Sequence, residues 1–276
     1  MARVDGTTAQ AAFDFDVEPR FRGVLGAVGL AKAEGVFADP RVVVWRDVTE
    51  RQNCTLDVPG GDGRTVRLHV KRYWPTSGRG TPAGEELAGI RLLERAGVPT
   101  VPLVASGRLP DGRSFVITED LAGFRPADKL IAEGLAFEAL LGPTADLAAR
   151  LHNEGLHHRD LYLCHFFVRV PDDGGGGAPE LRLIDAARVR ALPRFLTRRR
   201  WIVKDLAQFW YSTQALTVTE EQRERWLARY AGQRRGAWRE GLGGAVRRKA
   251  RAIARHDAKL KLSQPKRNVS LEGGRQ

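Results

Sequence analysis

The chain has 276 residues, 42% of them hydrophobic, the composition of an ordinary folded protein with room for one large core or two lobes around a cleft. Its net charge is +12 and its only cysteines are Cys54 and Cys164, which excludes a disulfide-stapled scaffold and points to a reducing compartment. No segment reaches the roughly 18–20 uncharged apolar residues of a membrane span, and the N-terminus MARVDGTTAQAAFDFD lacks the pattern of a secretory signal, so a cytoplasmic protein is expected.

Residues 10–40 mix short apolar pieces with Gly and Pro and predict no firm element. RVVVW (41–45) is a β-branched run, CTLDV (54–58) alternates, and TVRLHVKRYW (65–74) alternates again after the turn PGGDGR (59–64). These predict antiparallel strands, the last two joined by a Gly-rich hairpin. TSGRGTPAG (76–84) reads as a loop. EELAGIRLLERAG (85–97) then sets Leu87, Ile90, Leu92 and Leu93 at helical spacing before Gly97. VPTVPLVASGRLPDGRSFVITEDL (98–121) predicts two further strands about a turn at Pro110, Asp111 and Gly112.

After Leu121 the pattern becomes helical, in ADKLIAEG, PTADLAARLHNEG, VKDLAQFWYSTQAL and EEQRERWLARYAGQRRGAW. Two short strands interrupt it, HFFVRV (165–170) and LRLIDAAR (181–188), joined by PDDGGGGAPE (171–180), whose glycines read as a flexible hairpin tip. The expected organisation is an uncertain segment over 1–40, a sheet lobe with one helix over 41–120, a helical lobe over 121–262 and a disordered basic tail over 263–276.

Charge is unevenly placed. From Arg188 to the end, about 23 Lys and Arg stand against about 7 Asp and Glu, so the last third is strongly basic and the remainder slightly acidic. Blocks such as RFLTRRR (194–200) and AVRRKARAIARHDAKLK (245–261) attract polyanions, anionic lipid headgroups or a phosphorylated glycan among them. A solvated basic face is the plainer reading.

The densest chemistry lies in HHRDLYLCHFF (157–167). A zinc site drawn from His157, His158, Cys164 and His165 lacks paired ligand spacing, and the adjacent His157 and His158 point apart on an extended chain. Cys164 reads as a small buried residue, Phe167 as core, and Tyr162 as core or as an aromatic face beside the site. Phosphoryl transfer accounts for more of the sequence. It needs a strand lysine for the ATP phosphates, a helical carboxylate to hold it, and an aspartate to align the acceptor hydroxyl. A second metal ligand follows that aspartate, and another aspartate on a later strand binds Mg²⁺. Lys71 at the end of LHVK, Glu86 (with Glu85 as competitor) in the next helix, Asp160, His165, and Asp185 at the end of LRLID stand in that order.

LHNEGLHHRDLYLCHFF (151–167) resembles the catalytic loop of the lipopolysaccharide kinases of Gram-negative bacteria and is most similar to their core heptose kinase branch. The resemblance extends to VKRY (70–73), GVPT (97–100), ITEDL (117–121), LIDAARV (183–189) and KDLAQFWYS (204–212), roughly residues 41–215. It implies an α+β, bilobal protein-kinase-like fold with an antiparallel-sheet N-lobe and a mainly helical C-lobe. The implied activity is ATP-dependent and Mg²⁺-dependent phosphorylation of a sugar hydroxyl of the lipopolysaccharide inner core, heptose first. Asp160 would align the hydroxyl and take its proton, Lys71 and Glu86 would set the ATP phosphates, and backbone groups of Glu119 and Leu121 would meet adenine. Asp185 would bind Mg²⁺. His165, standing where general kinases carry Asn, is either a second metal ligand or a hydrogen-bond partner of Asp160. Such an acceptor lies at the inner membrane, so a cytoplasmic and peripheral location is expected, with the basic third on the anionic surface.

Some positions depart from the protein-kinase pattern. His69 replaces a small residue against adenine, and Ala186 and Ala187 follow Asp185 in place of Phe-Gly. DVTERQN (47–53) occupies the first turn without glycine, which leaves Arg51, Gln52 and Asn53 to cover the phosphates. Alternatives are a kinase of the same fold acting on Kdo, another glycan or a small molecule, or a non-catalytic kinase-shaped polyanion binder. The last gives no reason to keep Lys71, Asp160 and Asp185 together, and it alone would favour nucleic acid.

Overall fold

The structure, a computed structural model, describes residues 15–30, 32–48, 50–60, 63–75, 82–171, 177–195, 197–235 and 241–263. The expected tail from 264 on, Gly174–Gly176 of the glycine tip and most of the loop 76–84 lie outside the described residues. The chain forms two compact units. One gathers the described residues up to Ala83 with Leu103–Glu119; the other takes Gly84–Pro102 and the described residues from Asp120 on.

In the first unit, β1 (Phe15–Val17), β2 (Val43–Val48), β3 (Arg51–Pro59), β4 (Thr65–Tyr73), β5 (Leu103–Arg108) and β6 (Ser114–Glu119) make an antiparallel sheet in the order β1-β5-β6-β4-β3-β2. Alternation sorts its side chains onto two faces. Cys54, Leu56 and Val58 of β3 and Leu68 and Val70 of β4 join one core with Leu25 of α1 (Arg22–Ala27), Leu30, and Val36 of α2 (Ala33–Ala38). Residues 15–38, which carry no clear periodicity, thus supply an edge strand and the helices that bury this face. Arg72, on the same face, donates from Nε and Nη2 to the Val36 carbonyl at 2.9 and 2.6 Å. His69 and Lys71 alternate to the opposite face, in register with Thr55 and Asn53.

The expected turn DVTERQN is mostly strand. Asp47 pairs with Gln52 and Val48 with Arg51 across β2 and β3, so the ladder takes up most of this segment. Polar residues tolerate a strand here because they satisfy each other across it: Gln52 Nε2 donates to Asp47 Oδ2 at 3.0 Å. Arg51, Gln52 and Asn53 are therefore paired strand residues, with Asn53 buried.

The second unit contains α3 (Pro82–Arg95, all but its first two residues), β7 (Arg125–Pro126), α4 (Ala127–Ala132), α5 (Phe137–Asn153), β8 (Leu156–His157), β9 (Phe166–Arg169), β10 (Glu180–Leu183), β11 (Arg190–Ala191), α6 (Arg198–Ser212), α7 (Glu220–Gln233) and α8 (Leu242–Ser263). Its centre is aromatic. Phe209 of α6 stacks on Trp226 of α7 with centroids 3.9 Å apart, and Phe166 of β9 meets Phe209 edge-on at 5.5 Å. Phe166, rather than the expected Phe167, is the core residue, because Phe166 and Val168 share the inward side of β9 and Phe167 is half-buried. A capping box at Thr219 and Gln222 starts α7. The described residues form an α+β fold, sheet first and mainly helical after, as expected. No helix among them is long and apolar enough to cross a membrane.

Candidate active site

The site grows from Asp205, a fully buried carboxylate on α6. Its Oδ2 accepts the His158 amide at 2.7 Å and its Oδ1 the Arg159 amide at 2.8 Å. A third bond, at 3.2 Å, comes from Nε2 of the buried His152 on α5. Burial by itself would raise the Asp205 carboxyl; the hydrogen bond from His152 and the His158 amide outweigh it and hold it below the usual carboxylate range. His152 is also lowered, below the usual histidine value, chiefly by burial. A neutral imidazole beside an ionised acceptor must carry its proton on Nε2, which leaves Nδ1 to accept the Tyr230 hydroxyl at 2.7 Å. The chain Tyr230–His152–Asp205 thus connects α7 to two backbone amides of the loop.

Those bonds hold a strained turn. Among the described residues, the non-glycine positions with positive φ are Arg159 (69°) and Asp185 (59°), an arrangement that persists where surrounding contacts over-determine it. At Arg159 the amide is bound by Asp205, the carbonyl accepts Lys204 Nζ at 2.6 Å, and the guanidinium lies 4.8 Å over the Trp201 ring. Asp160 follows this turn. Arg188 Nη1 donates to both of its carboxylate oxygens at 3.1 and 3.0 Å, and Gln208 Nε2 donates to Oδ1 at 3.2 Å. Gln208 also accepts the Leu161 amide at 3.2 Å through Oε1, and Ser212 Oγ accepts the Leu163 amide at 2.9 Å. One face of α6 therefore fixes the whole loop.

His165 closes the turn. Its Nδ1 donates to the backbone carbonyl of Asp160 at 2.6 Å, and its Nε2 stands 3.7 Å from Asp185 Oδ2. Burial disfavours charge on His165, but the neighbouring Cys164 sulfur, the Asp185 carboxylate and the Asp160 carbonyl prevail and raise its pKa to about 9. The other histidines diverge: His157 lies against Trp201, and His158 Nε2 points to the Ile184 carbonyl at 3.1 Å. Tyr162 lies edge-on to His165, with centroids 6.2 Å apart.

Asp160, His165 and Asp185 are thus brought together in the second unit, where Glu86 and Leu121 also lie. Lys71 on β4 and Glu119 at the end of β6 belong to the first. Burial separates the two α3 carboxylates: Glu86 is buried, whereas Glu85 is exposed and faces Arg190 at 3.4 Å. Glu119 faces Arg20 at 3.5 Å. Sequence reasoning passed over Asp205, His152, Tyr230, Gln208, Lys204 and Arg188. The available signal was KDLAQ (204–208), where two charges and an amide interrupt a helix otherwise rich in apolar residues.

Mg²⁺ takes oxygen ligands and commonly binds through one or two carboxylates plus substrate phosphates. Asp185 offers such a carboxylate, one-third exposed, in a left-handed turn two residues past the end of β10. The donor chemistry fits a metal that completes its shell with phosphate and water. Among the described residues no group of three or more His, Cys, Asp or Glu is placed to hold a metal ion by itself.

Comparison with known proteins places this geometry. Residues 41–230 match the family model described as lipopolysaccharide kinase (Kdo/WaaP) family. The lipopolysaccharide core heptose(I) kinase WaaP of Pseudomonas aeruginosa is 28% identical over 211 residues, covering 68% of this chain and 76% of that protein. The protein of the same name from Escherichia coli K12 is 26% identical over 224 residues, covering 74% and 84%. A solved structure, WaaP in complex with acyl carrier protein, superposes with a TM-score of 0.61 at 27% identity over 90% of this chain and 98% of that one.

Proposed function

The chain belongs to the lipopolysaccharide kinase (Kdo/WaaP) family, and from that premise we propose that it is an ATP-dependent kinase of a lipopolysaccharide inner-core sugar hydroxyl, heptose before Kdo. The observation that carries this reading is the Asp160 carboxylate, fixed through Asp205 and Gln208 on a strained loop beside Asp185. In this reading Asp160 aligns the acceptor hydroxyl and takes its proton, work worth about 10²–10⁴ in rate. Lys71, supported by Glu86, sets the ATP phosphates, and backbone groups at Glu119 and Leu121 meet adenine. Asp185 would hold Mg²⁺, which would supply neutralisation of the phosphate charge. His165 acts through its hydrogen bond to the Asp160 carbonyl and its contact with Asp185, orienting both carboxylates.

The partner surface follows from α8. Leu242, Val246 and Ala250 are buried, while Arg248, Lys249, Arg251, Arg255 and Lys259 are exposed. This stripe suits anionic headgroups of the membrane that carries the acceptor, which makes the protein peripheral on the cytoplasmic face. An acyl carrier protein is a second reading, favoured by the solved relative, WaaP in complex with acyl carrier protein.

Transfer of labelled phosphate from ATP with Mg²⁺ tests the reading. Label on dephosphorylated, heptose-bearing core supports it. Label confined to a Kdo-only acceptor moves the chain to the Kdo branch, and label on neither contradicts the proposed acceptor class.

A further inference from the structure

We propose that Arg188 is a second catalytic residue, the cation that meets the γ-phosphoryl group during transfer, an inference that rests on the kinase reading above. The residues between Asp160 and His165 (Leu161, Tyr162, Leu163 and Cys164) carry no Lys or Arg, and His165 is engaged by the Asp160 carbonyl and faces Asp185. The nearby cations are committed elsewhere: Lys204 Nζ to the Arg159 carbonyl, and the Arg159 guanidinium to the Trp201 ring. Arg188 comes instead from the far side of the site. It lies three residues past Asp185, at the end of a single 3-10 turn (Ala186–Arg188) whose first residue is fully buried. Its base is therefore rigid and its tip is not: the side chain is 51% exposed and touches Asp160 through Nη1. The rest of the guanidinium fork is available for a second anion.

The ion pair with Asp160 is a resting contact. With the Arg188 side chain half-exposed, the pair contributes at most about 1 kcal/mol, so the guanidinium can leave the carboxylate at little cost. In the transfer step the hydroxyl oxygen forms a bond to the γ-phosphorus and the bond from that phosphorus to the β,γ-bridging oxygen breaks. ADP departs with the electron pair, and the hydroxyl proton passes to the Asp160 carboxylate. That proton removes the charge that held Arg188, at the moment when negative charge gathers on the peripheral oxygens of the transferred group. The guanidinium is thereby handed from carboxylate to phosphoryl, where a preorganised donor of this kind is worth about 10²–10³ in rate. Tyr162, at the position nearest after Leu161, has no charge to perform this service.

The test pairs kinetics with a binding readout on the full-length protein. Arg188→Ala is expected to lower kcat by about 10²–10³ while the KM for ATP, the affinity for Mg²⁺–ADP and the melting temperature stay near wild type. The affinity for Mg²⁺–ADP–aluminium fluoride, which mimics the phosphoryl in flight, should fall at least about tenfold, with Arg188→Lys recovering part of both losses. If Arg188→Ala raises the KM for the acceptor and leaves kcat and fluoride-complex affinity intact, the residue reads the acceptor and the proposal fails. The fluoride readout needs no acceptor. Loss of fluoride affinity in a protein that labels no lipopolysaccharide would sustain Arg188 and overturn the acceptor class, whereas transfer to the core with unchanged fluoride affinity would overturn Arg188 alone.

Discussion

Gly89 of α3 lies directly against the backbone of Ala186: a Cβ built on Gly89 would fall 1.9 Å from the Ala186 carbonyl oxygen. Glu86 stands one turn earlier on the same helix, and Asp185 immediately precedes Ala186. The close approach therefore fixes the helix of one proposed phosphate-handling carboxylate against the turn of the proposed metal ligand. Thr100 Oγ1 ties the segment after the helix to the Leu183 carbonyl at 2.7 Å, and the Leu183 amide donates to the Pro99 carbonyl at 2.9 Å.

Gly89→Ala should accordingly destabilise the protein and reduce turnover at least about tenfold, although Gly→Ala in a helix ordinarily stabilises by up to about 1 kcal/mol. Gly232→Ala on α7, where nothing lies within 4 Å of the added Cβ, is the control and should leave both stability and activity unharmed. Thermal denaturation and kcat on the two variants decide the point, and equal behaviour would contradict it.

Asp205→Asn replaces an acceptor of three hydrogen bonds with a group whose NH₂ faces N–H donors. Removing one partner from a buried charged network costs roughly 3–5 kcal/mol, and the Arg159 turn loses its anchor. Chemical denaturation should show that loss, with kcat falling further than the folded fraction accounts for. Retention of activity in the folded fraction would show that the loop holds its shape without Asp205.

Acid should weaken the fold as pH falls below the ordinary histidine value. His157 is buried against Trp201, and burial lowers its pKa from 6.5 to about 4. Between those values the unfolded chain takes up a proton that the folded chain refuses. This contribution is therefore complete above pH 6.5 and falls away as pH drops toward 4, by roughly 3 kcal/mol. The neutral, buried His152 acts with the same sign. Denaturant titrations at pH 7, 5.5 and 4.5 should show the decline, and His157→Gln should flatten it; identical slopes in the two proteins would exclude His157 as a source.

Binding to vesicles containing anionic lipid should weaken steeply between low and physiological salt, as screening shortens the reach of surface charge to about 8 Å. Replacing Arg248, Arg251, Arg255 and Lys259 with Gln should reduce it further. Sedimentation with vesicles reads both, and salt-independent binding would argue for an apolar contact instead.

Much of this was legible in the chain before any coordinates. Strict alternation in TVRLHVKRYW and LRLID marked strands, and Lys71 and Glu86 lie on the strand and helix expected of them, whereas β10 ends at Leu183, two residues before Asp185. Local pattern failed where distant partners decide. Residues 15–38 look irregular because their short apolar pieces make sense only against β3 and β4. DVTERQN reads as a turn by composition, yet cross-strand pairs such as Asp47 with Gln52 make it a hairpin. The anchoring network was hidden for the same reason: Asp205 sits 47 residues from His158, and Tyr230 sits 78 from His152. Arg188 lay in plain view within LIDAARV, but nothing in its neighbours says that its side chain turns back to Asp160.

The most direct test of the account is labelled phosphate transfer to heptose-bearing core by the wild type and by Asp160→Ala, with Lys71→Ala beside them. The account expects transfer by the wild type, loss by at least about 10² in Asp160→Ala with an unchanged melting temperature, and a raised KM for ATP in Lys71→Ala. Retention of most activity in Asp160→Ala would contradict it, because the loop that Asp205 and Gln208 hold in place would then present no group the reaction needs.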